Sequence, residues 1–323
     1  MVDLEPTGGE TVRCRYCGQL NNLRGETGQA RCGRCRLLLS DEPHKKFASL
    51  DKFSYIHPLD SRALAALRNI PGIDTALKKL LEVTGESAIR VIFTASAVKV
   101  TPKQCPDLYA KLQVACTTLG VDMPEMFVQQ NPTVNAFTGG VKRPVIVLHS
   151  QLIERLNDEE TLAVIAHEVG HIHAEHVLYI TAARLIEALA NVAVAAAPIA
   201  SLVAQLISVT MRSALLAWAR RAELSCDRAA LLVVQDPDVI GRTMMKLSGG
   251  TFASRVDYEQ FLVQARDFQK NYDEKALDRF WADIINAGLT HPFPVWRVAE
   301  ILSWVESGEY ARLMSGEAES AAA

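Results

Sequence analysis

The chain has 323 residues, 49% hydrophobic and 22% charged, which excludes a largely disordered protein and a tiny stapled scaffold and allows one large domain plus a small one. Its 34 Lys and Arg residues against 37 Asp and Glu leave a formal net charge of -3, so no global basic field is available to gather nucleic acid. The opening residues, Met1 to Glu10, have neither a basic n-region nor an apolar h-region, and no secretory signal is expected.

Residues 1–42 are rich in Gly, Arg and Cys and poor in large apolar side chains, so this segment needs a staple in place of a core. Cys14-Arg-Tyr-Cys17 and Cys32-Gly-Arg-Cys35 form two C-x-x-C pairs separated by fourteen residues, close to the spacing of tetrathiolate zinc sites. Gly18 and Gly33 are expected to let each knuckle turn. The segment resembles a zinc ribbon, with Cys14, Cys17, Cys32 and Cys35 holding a structural Zn²⁺. A redox dithiol is the alternative use of either pair. Arg13, Arg15, Arg24, Arg31, Arg34 and Arg36 give the ribbon a local positive surface. With Tyr16 as its one aromatic residue, it reads as a docking module for a protein partner in preference to a nucleic-acid binder. The remaining cysteines, Cys105, Cys116 and Cys226, are widely spaced and read as free thiols of a reducing compartment, which places the protein in the cytoplasm.

A polar linker over 43–54 leads to Ala63, Leu64, Leu67 and Ile70 at helical spacing, ended by Pro71-Gly72. Leu77, Leu80 and Leu81 continue in helix. Val91 to Ala95 and Val98 to Val100 are β-branched and aromatic and predict strand. Leu108 to Leu119 predicts helix. Short β-like runs at 125–130, 133–137 and 144–148 predict a small antiparallel sheet. From Gln151 onward the pattern is helical, over 159–178, 181–191, 199–234 and 239–247. The fold class is therefore α+β, mostly α, and 311–323 reads as a flexible tail.

His167-Glu168-Val-Gly-His171 is H-E-x-x-H within a helix-forming run. Positions i and i+4 share a face, so both imidazoles reach one Zn²⁺ while Glu168 lies beside them to accept a proton from metal-bound water. A catalytic zinc needs a third protein ligand. Ala174 and Val177 stand where a metzincin pattern requires Gly and His, and His173 and His176 are out of that register. Glu223 is the better candidate. It shares a helical face with Asp227, which would receive the outer ring N–H of a ligating histidine. The plain alternative is a solvated helix face, against which stands the apolar run Leu215 to Val234.

His167-Glu-x-x-His171, Glu223-x-x-x-Asp227 and His291-Pro-x-x-x-x-Arg297, in that order, resemble the gluzincin endopeptidases of the HtpX and CAAX prenyl protease type, peptidase family M48, over roughly residues 55–310. The resemblance implies His167, His171 and Glu223 as ligands of a catalytic zinc and Glu168 as general base. Asp227 and Arg297 would support the ligands, with His291 beside the reacting carbonyl. It also implies Asn135-Ala136-Phe137 as an edge strand along which an extended polypeptide substrate lies, and a role in protein quality control. For His291 and Arg297 a capped turn and a structural salt bridge are the alternatives.

Ala188 to Met211 carries no charge, and twenty-four helical residues would span about 36 Å. Its Ala content, Asn191, Ser201, Gln205, Ser208 and central Pro198 favour a hairpin packed beside the active site. The resemblance favours transmembrane helices there, so membrane association stays open. The competing function is a latent or inactive peptidase-fold scaffold whose ribbon binds a partner. A third, a redox protein, would need thiol-dependent turnover.

Overall fold

In the computed structural model, residues 11–23, 30–40, 42–47, 49–84, 86–191, 208–274 and 293–316 are described. A two-stranded hairpin, β1 (Thr11–Arg13) and β2 (Leu20–Asn22), opens the ribbon. Helices α1 (Pro58–Arg68), α2 (Ile73–Thr84) and α3 (Glu86–Ser96) follow. His57 caps α1 by accepting from the Leu59 N–H, with Pro58 at the first helical position.

Val98–Lys99 is strand, β3, as expected, but Val91 to Ala95 lies inside α3. Phe93 and Ala97, four apart, both pack on the cluster built by Phe127, Val145 and Val147. Val91 and Ile92 stay 65% and 56% exposed. Contacts spaced by four with exposed residues between them select helix over strand, whatever the β-branched content.

After α4 (Pro106–Leu119) come β4 (Glu125–Gln129), β5 (Ala136–Gly139) and β6 (Val145–His149). The sheet order is β3-β4-β6-β5, and it is mixed, in contrast to the antiparallel sheet predicted. β5 and β6 form an antiparallel pair, and β6 then inserts between β5 and β4, parallel to β4. All five β6 residues are buried, as a central strand requires.

Then come α5 (Ser150–Arg155), α6 (Asp158–His173), α7 (Val177–Asn191), α8 (Val209–Val234), α9 (Pro237–Gly249), α10 (Tyr258–Glu274), α11 (Pro294–Glu306) and α12 (Glu309–Ser315). The helix expected over 159–178 is broken after His173, where Glu175 takes φ 59 and reverses the chain. The start of the helix expected over 199–234, most of the uncharged 188–211 stretch and the tail beyond 316 lie outside the described residues. Helix persists to Ser315 inside the stretch expected as tail, because Leu313 is buried and the Lys45 ammonium binds the carbonyls of Leu313 and Met314.

α6 and α8 form the axis of the protein. Asn157 and Glu160 close a capping box at the start of α6. Gly170 lets the two helices touch: a β-carbon there would lie 2.9 Å from Ala229 Cβ and 3.3 Å from Cys226 Cα. Ribbon residues Cys14, Tyr16 and Leu37 belong to the same buried cluster as Leu162, Ile165 and Val169 of α6. No described helix is long and apolar enough to cross a membrane.

Candidate metal centre and active site

One helical turn separates His167 from His171 on α6, and both turn Nε2 toward α8, the close approach at Gly170 bringing the two helices within reach of one carboxylate. Glu223 Oε2 lies 3.3 Å from His167 Nε2 and Glu223 Oε1 lies 3.3 Å from His171 Nε2. Three ligand atoms of a tetrahedral ion with bonds of about 2.0–2.1 Å stand about 3.3 Å apart. His171 is fully buried, and its Nε2 has no hydrogen-bond partner in spite of that proximity. A buried imidazole nitrogen without a hydrogen bond is costly unless a cation takes its lone pair. The donor set therefore fits a divalent metal such as zinc.

Cys226 also stands within reach of the two histidines. Its sulfur lies 3.8 Å from His176 Nδ1. Burial, and after it the Glu223 carboxylate, raises its thiol pKa well above the ordinary value, whereas Glu223 offers an oxygen to each Nε2.

Around the two histidines and Glu223 the charges are matched. His167 Nδ1 lies 2.9 Å from Asp227 Oδ1, and Arg297 of α11 binds Asp227 through Nη2 at 2.5 Å and Nε at 2.7 Å. Burial would raise the Asp227 pKa, but Arg297 and then His167 bring it below the carboxylate range. Burial opposes the charge on His167, yet Asp227 and Glu223 together lift its pKa to about 9. Burial takes His171 down to about 4.

Glu168 is buried and lines a cavity of about 320 Å³ with His167, Glu223 and Asp227. Thr138 of β5 donates its hydroxyl to Glu168 Oε2 at 2.7 Å. No local pattern marks Thr138, a hydroxyl in a short β run, for this role. Most of the cavity wall is apolar, from Val134, Leu152, Val164, Ile240 and Met244 among others.

Asn135 and Ala136 line the cavity. Phe137 turns to the opposite face of the sheet, with its ring centroid 5.5 Å from that of Phe93, as alternation along a strand dictates. β5 is an edge of its sheet among the described residues. Its Asn135 carbonyl accepts from the His149 N–H, so alternation turns the Ala136 backbone outward, where Asn135 Oδ1 accepts from the Ala136 N–H. His291 lies outside the described residues.

The sequence of the chain matches Peptidase family M48 over residues 102–305. The chain belongs to peptidase family M48. Its class of activity is thereby that of a peptidase, a hydrolase of polypeptides. Among relatives of this M48 peptidase, the plastoglobule-localized metallopeptidase 48, chloroplastic, of Arabidopsis thaliana is 36% identical over 294 residues, covering 89% of this chain and 83% of the relative. A protease HtpX homolog of Polynucleobacter necessarius subsp. necessarius is 24% identical over 245 residues, 68% of this chain and 81% of the relative. A protease HtpX homolog of Ligilactobacillus salivarius is 32% identical over 92 residues, 28% of this chain and 31% of the relative. No solved structure matches.

At the other end of this M48 chain, the four cysteine sulfurs lie within 4.8 Å of one another, with Cys14 to Cys35 and Cys17 to Cys32 both at 3.6 Å. Zn–S bonds of about 2.3 Å place tetrahedral sulfurs at close to that spacing. In each knuckle a backbone N–H closes on the carbonyl of its first cysteine, Gly18 onto Cys14 and Arg36 onto Cys32. Gly18 has the expected positive φ, but in the second knuckle Arg36 takes it, at φ 66, and Gly33 does not. Gly33 instead gives its N–H to Asn21 Oδ1. The ribbon arginines turn inward as well as outward. Arg31 and the Leu38 N–H meet Glu159 of α6 at 3.0 and 2.9 Å, and Arg34 donates to Gln113 of α4 at 2.7 Å.

Proposed function

We propose that this M48 peptidase is a zinc-dependent endopeptidase in which His167, His171 and Glu223 hold the catalytic metal, Glu168 is the general base, and Cys14, Cys17, Cys32 and Cys35 hold a second, structural zinc. The observation that carries the reading is the pair of 3.3 Å separations between the two Nε2 atoms and the two oxygens of one Glu223 carboxylate, with Glu168 in the adjoining cavity. Bound there, zinc would lower the pKa of a water toward about 7 and polarise the substrate carbonyl.

The rest is work for the chain. Thr138 holds Glu168 through Oε2, which leaves Oε1 to take the proton of the attacking water and return it to the leaving amine. Asp227, itself anchored by Arg297, accepts from His167 Nδ1, which fixes the tautomer that presents Nε2 to the metal. An extended peptide adds beside β5 through the outward backbone of Ala136, giving affinity that tolerates sequence variation. The apolar cavity wall favours a large apolar side chain next to the cleaved bond. His291, which the family resemblance puts beside the reacting carbonyl, and a place in protein quality control complete the reading. So does work in a reducing compartment, the cytoplasm, in keeping with Cys105, Cys116 and Cys226 as free thiols.

The decisive experiment compares wild type with Glu168→Gln and His167→Ala. The reading requires two zinc ions in wild type and in Glu168→Gln, one in His167→Ala, and chelator-sensitive casein cleavage in wild type alone. Retained cleavage by Glu168→Gln, or a zinc count that His167→Ala does not change, would defeat it.

A further inference from the structure

Behind the metal centre lies a second polar cluster that the catalytic reading does not use. His171 turns Nε2 toward Glu223, and its other ring nitrogen, Nδ1, lies 3.4 Å from Nδ1 of His176. His176 Nε2 in turn lies 3.1 Å from Asp60 Oδ2, a charge contact whose angle falls short of hydrogen-bond geometry. All three residues are buried. Two imidazoles in contact through like nitrogens form a hydrogen bond only if one carries the proton and the other offers a lone pair, and the surroundings decide which. His176 meets the Asp60 carboxylate on its Nε2 side, and a carboxylate accepts only, so the His176 proton belongs on Nε2. Its Nδ1 is then an acceptor, and the Nδ1 proton belongs to His171. The Cys226 sulfur, 3.8 Å from His176 Nδ1, is compatible with this as a weak S–H donor to the same lone pair.

Asp60 is fixed for the purpose. Trp218 Nε1 donates to its Oδ1 at 2.8 Å and Ser225 Oγ to its Oδ2 at 2.6 Å, and the Ser225 hydroxyl also accepts from the His57 N–H. Asp60 comes from the first turn of α1 and both donors come from α8, so the acceptor is tied to the helix that carries Glu223. The backbone bears a cost to deliver His176. Glu175 adopts φ 59, a left-handed conformation unfavourable to a residue with a side chain. The reversal folds the chain back so that the His176 N–H bonds the His171 carbonyl at 2.9 Å.

We propose that His176 and Asp60 are positioning residues for the metal ligand His171, forming a carboxylate–imidazole–imidazole relay that fixes the tautomer and ring orientation of His171 as Asp227 does for His167. The inference rests on the zinc reading of His167, His171 and Glu223. It gives the two ligating histidines different supports: His167 is held by a carboxylate neutralised by Arg297, and His171 by a carboxylate acting through a second imidazole.

The test measures zinc affinity at the His167–His171 site by chelator competition in wild type, His176→Leu, His176→Gln and Asp60→Asn, all in the full-length chain with the cysteine site intact. A Gln amide can accept from His171 Nδ1 and donate toward Asp60, so it preserves the sense of the relay. We expect His176→Leu to weaken zinc binding about 10–100-fold, Asp60→Asn to weaken it less, and His176→Gln to restore most of the loss. A second readout is the long-range ¹H–¹⁵N spectrum of the imidazoles in the zinc-loaded wild type. It should show His171 protonated on Nδ1 and His176 on Nε2. If His176→Leu binds zinc as wild type does, or if His176 is protonated on Nδ1, the relay is wrong while the zinc site stands. If wild type binds only the zinc of the cysteine site, the catalytic-zinc reading fails and the relay with it. Should His176→Leu not fold, the Gln variant and the wild-type tautomers still decide.

Discussion

Asp227 Oδ1 lies 2.9 Å from His167 Nδ1 and 2.5 Å from Arg297 Nη2, so one carboxylate oxygen joins the H-E-x-x-H helix to α11. All three groups are buried, and the Asp227 and Arg297 charges are each tolerated because the other is present. Arg297→Ala strands the Asp227 carboxylate in the core and should cost about 3–5 kcal/mol in urea unfolding. Arg297→Lys should recover little, since one ammonium cannot reproduce a two-nitrogen grip. Equal stability of the Lys variant and wild type would show that charge alone matters.

Thr138→Val keeps the shape of β5 and removes the hydroxyl that holds Glu168 Oε2. The expected outcome is unchanged zinc content with kcat on a peptide substrate lowered about tenfold, the scale of one lost hydrogen bond to a charged group, and KM little altered. Thr138→Ser should retain most of the rate. A drop confined to KM would assign Thr138 to substrate binding instead.

Gly170→Ala places a β-carbon against Ala229 and Cys226, and α6 and α8 must separate. Overpacking of this kind costs about 1–3 kcal/mol. Because the proposed metal ligands are divided between these helices, zinc affinity should fall along with stability. Adding Ala229→Gly should relieve part of both losses, which chelator competition and urea titration of the double variant would measure.

His44 joins the ribbon to the peptidase body: its Nε2 lies 2.7 Å from the Val233 carbonyl at the end of α8, and its ring packs on Tyr16. Burial lowers its pKa to about 4. An unfolded histidine protonates near 6.5, so between those values the unfolded state binds more protons, and stability falls as pH drops from about 6.5 to about 4. The shift corresponds to at most about 3 kcal/mol. His44→Gln should flatten the stability profile over that window by a comparable amount. An unchanged slope between pH 7 and 5 would exclude His44 as its source.

What could be read from the sequence was what repeats along a single element. His167, Glu168 and His171 are fixed by helical spacing, as are Glu223 and Asp227, and the structure places all five at one centre. Relations between elements left no such trace. Val91 to Ala95 carries strand-forming residues yet is helical, because which of its residues meet Phe127 and Phe137 depends on a sheet built later in the chain. β6 lies parallel to β4 because it inserts between β4 and β5, an outcome no local pattern encodes. Thr138 and Asp60 are ordinary polar residues until folding sets them against Glu168 and His176. His176 was visible only as a histidine outside a known register, since the reversal that returns it to His171 depends on a left-handed Glu175, which residue preference argues against.

The contact between the ribbon and the first turn of α6 bears on how the enzyme can be dissected. Leu37 is wholly buried in the cluster that includes Leu162 and Ile165, and Glu159 holds both Arg31 and the Leu38 N–H. A shortened chain beginning after the last cysteine pair would present an apolar scar and an unanswered acidic edge at the root of the H-E-x-x-H helix. Poor solubility or weak activity of such a fragment would then report the missing surface, and would say nothing against the chemistry of the residues that remain.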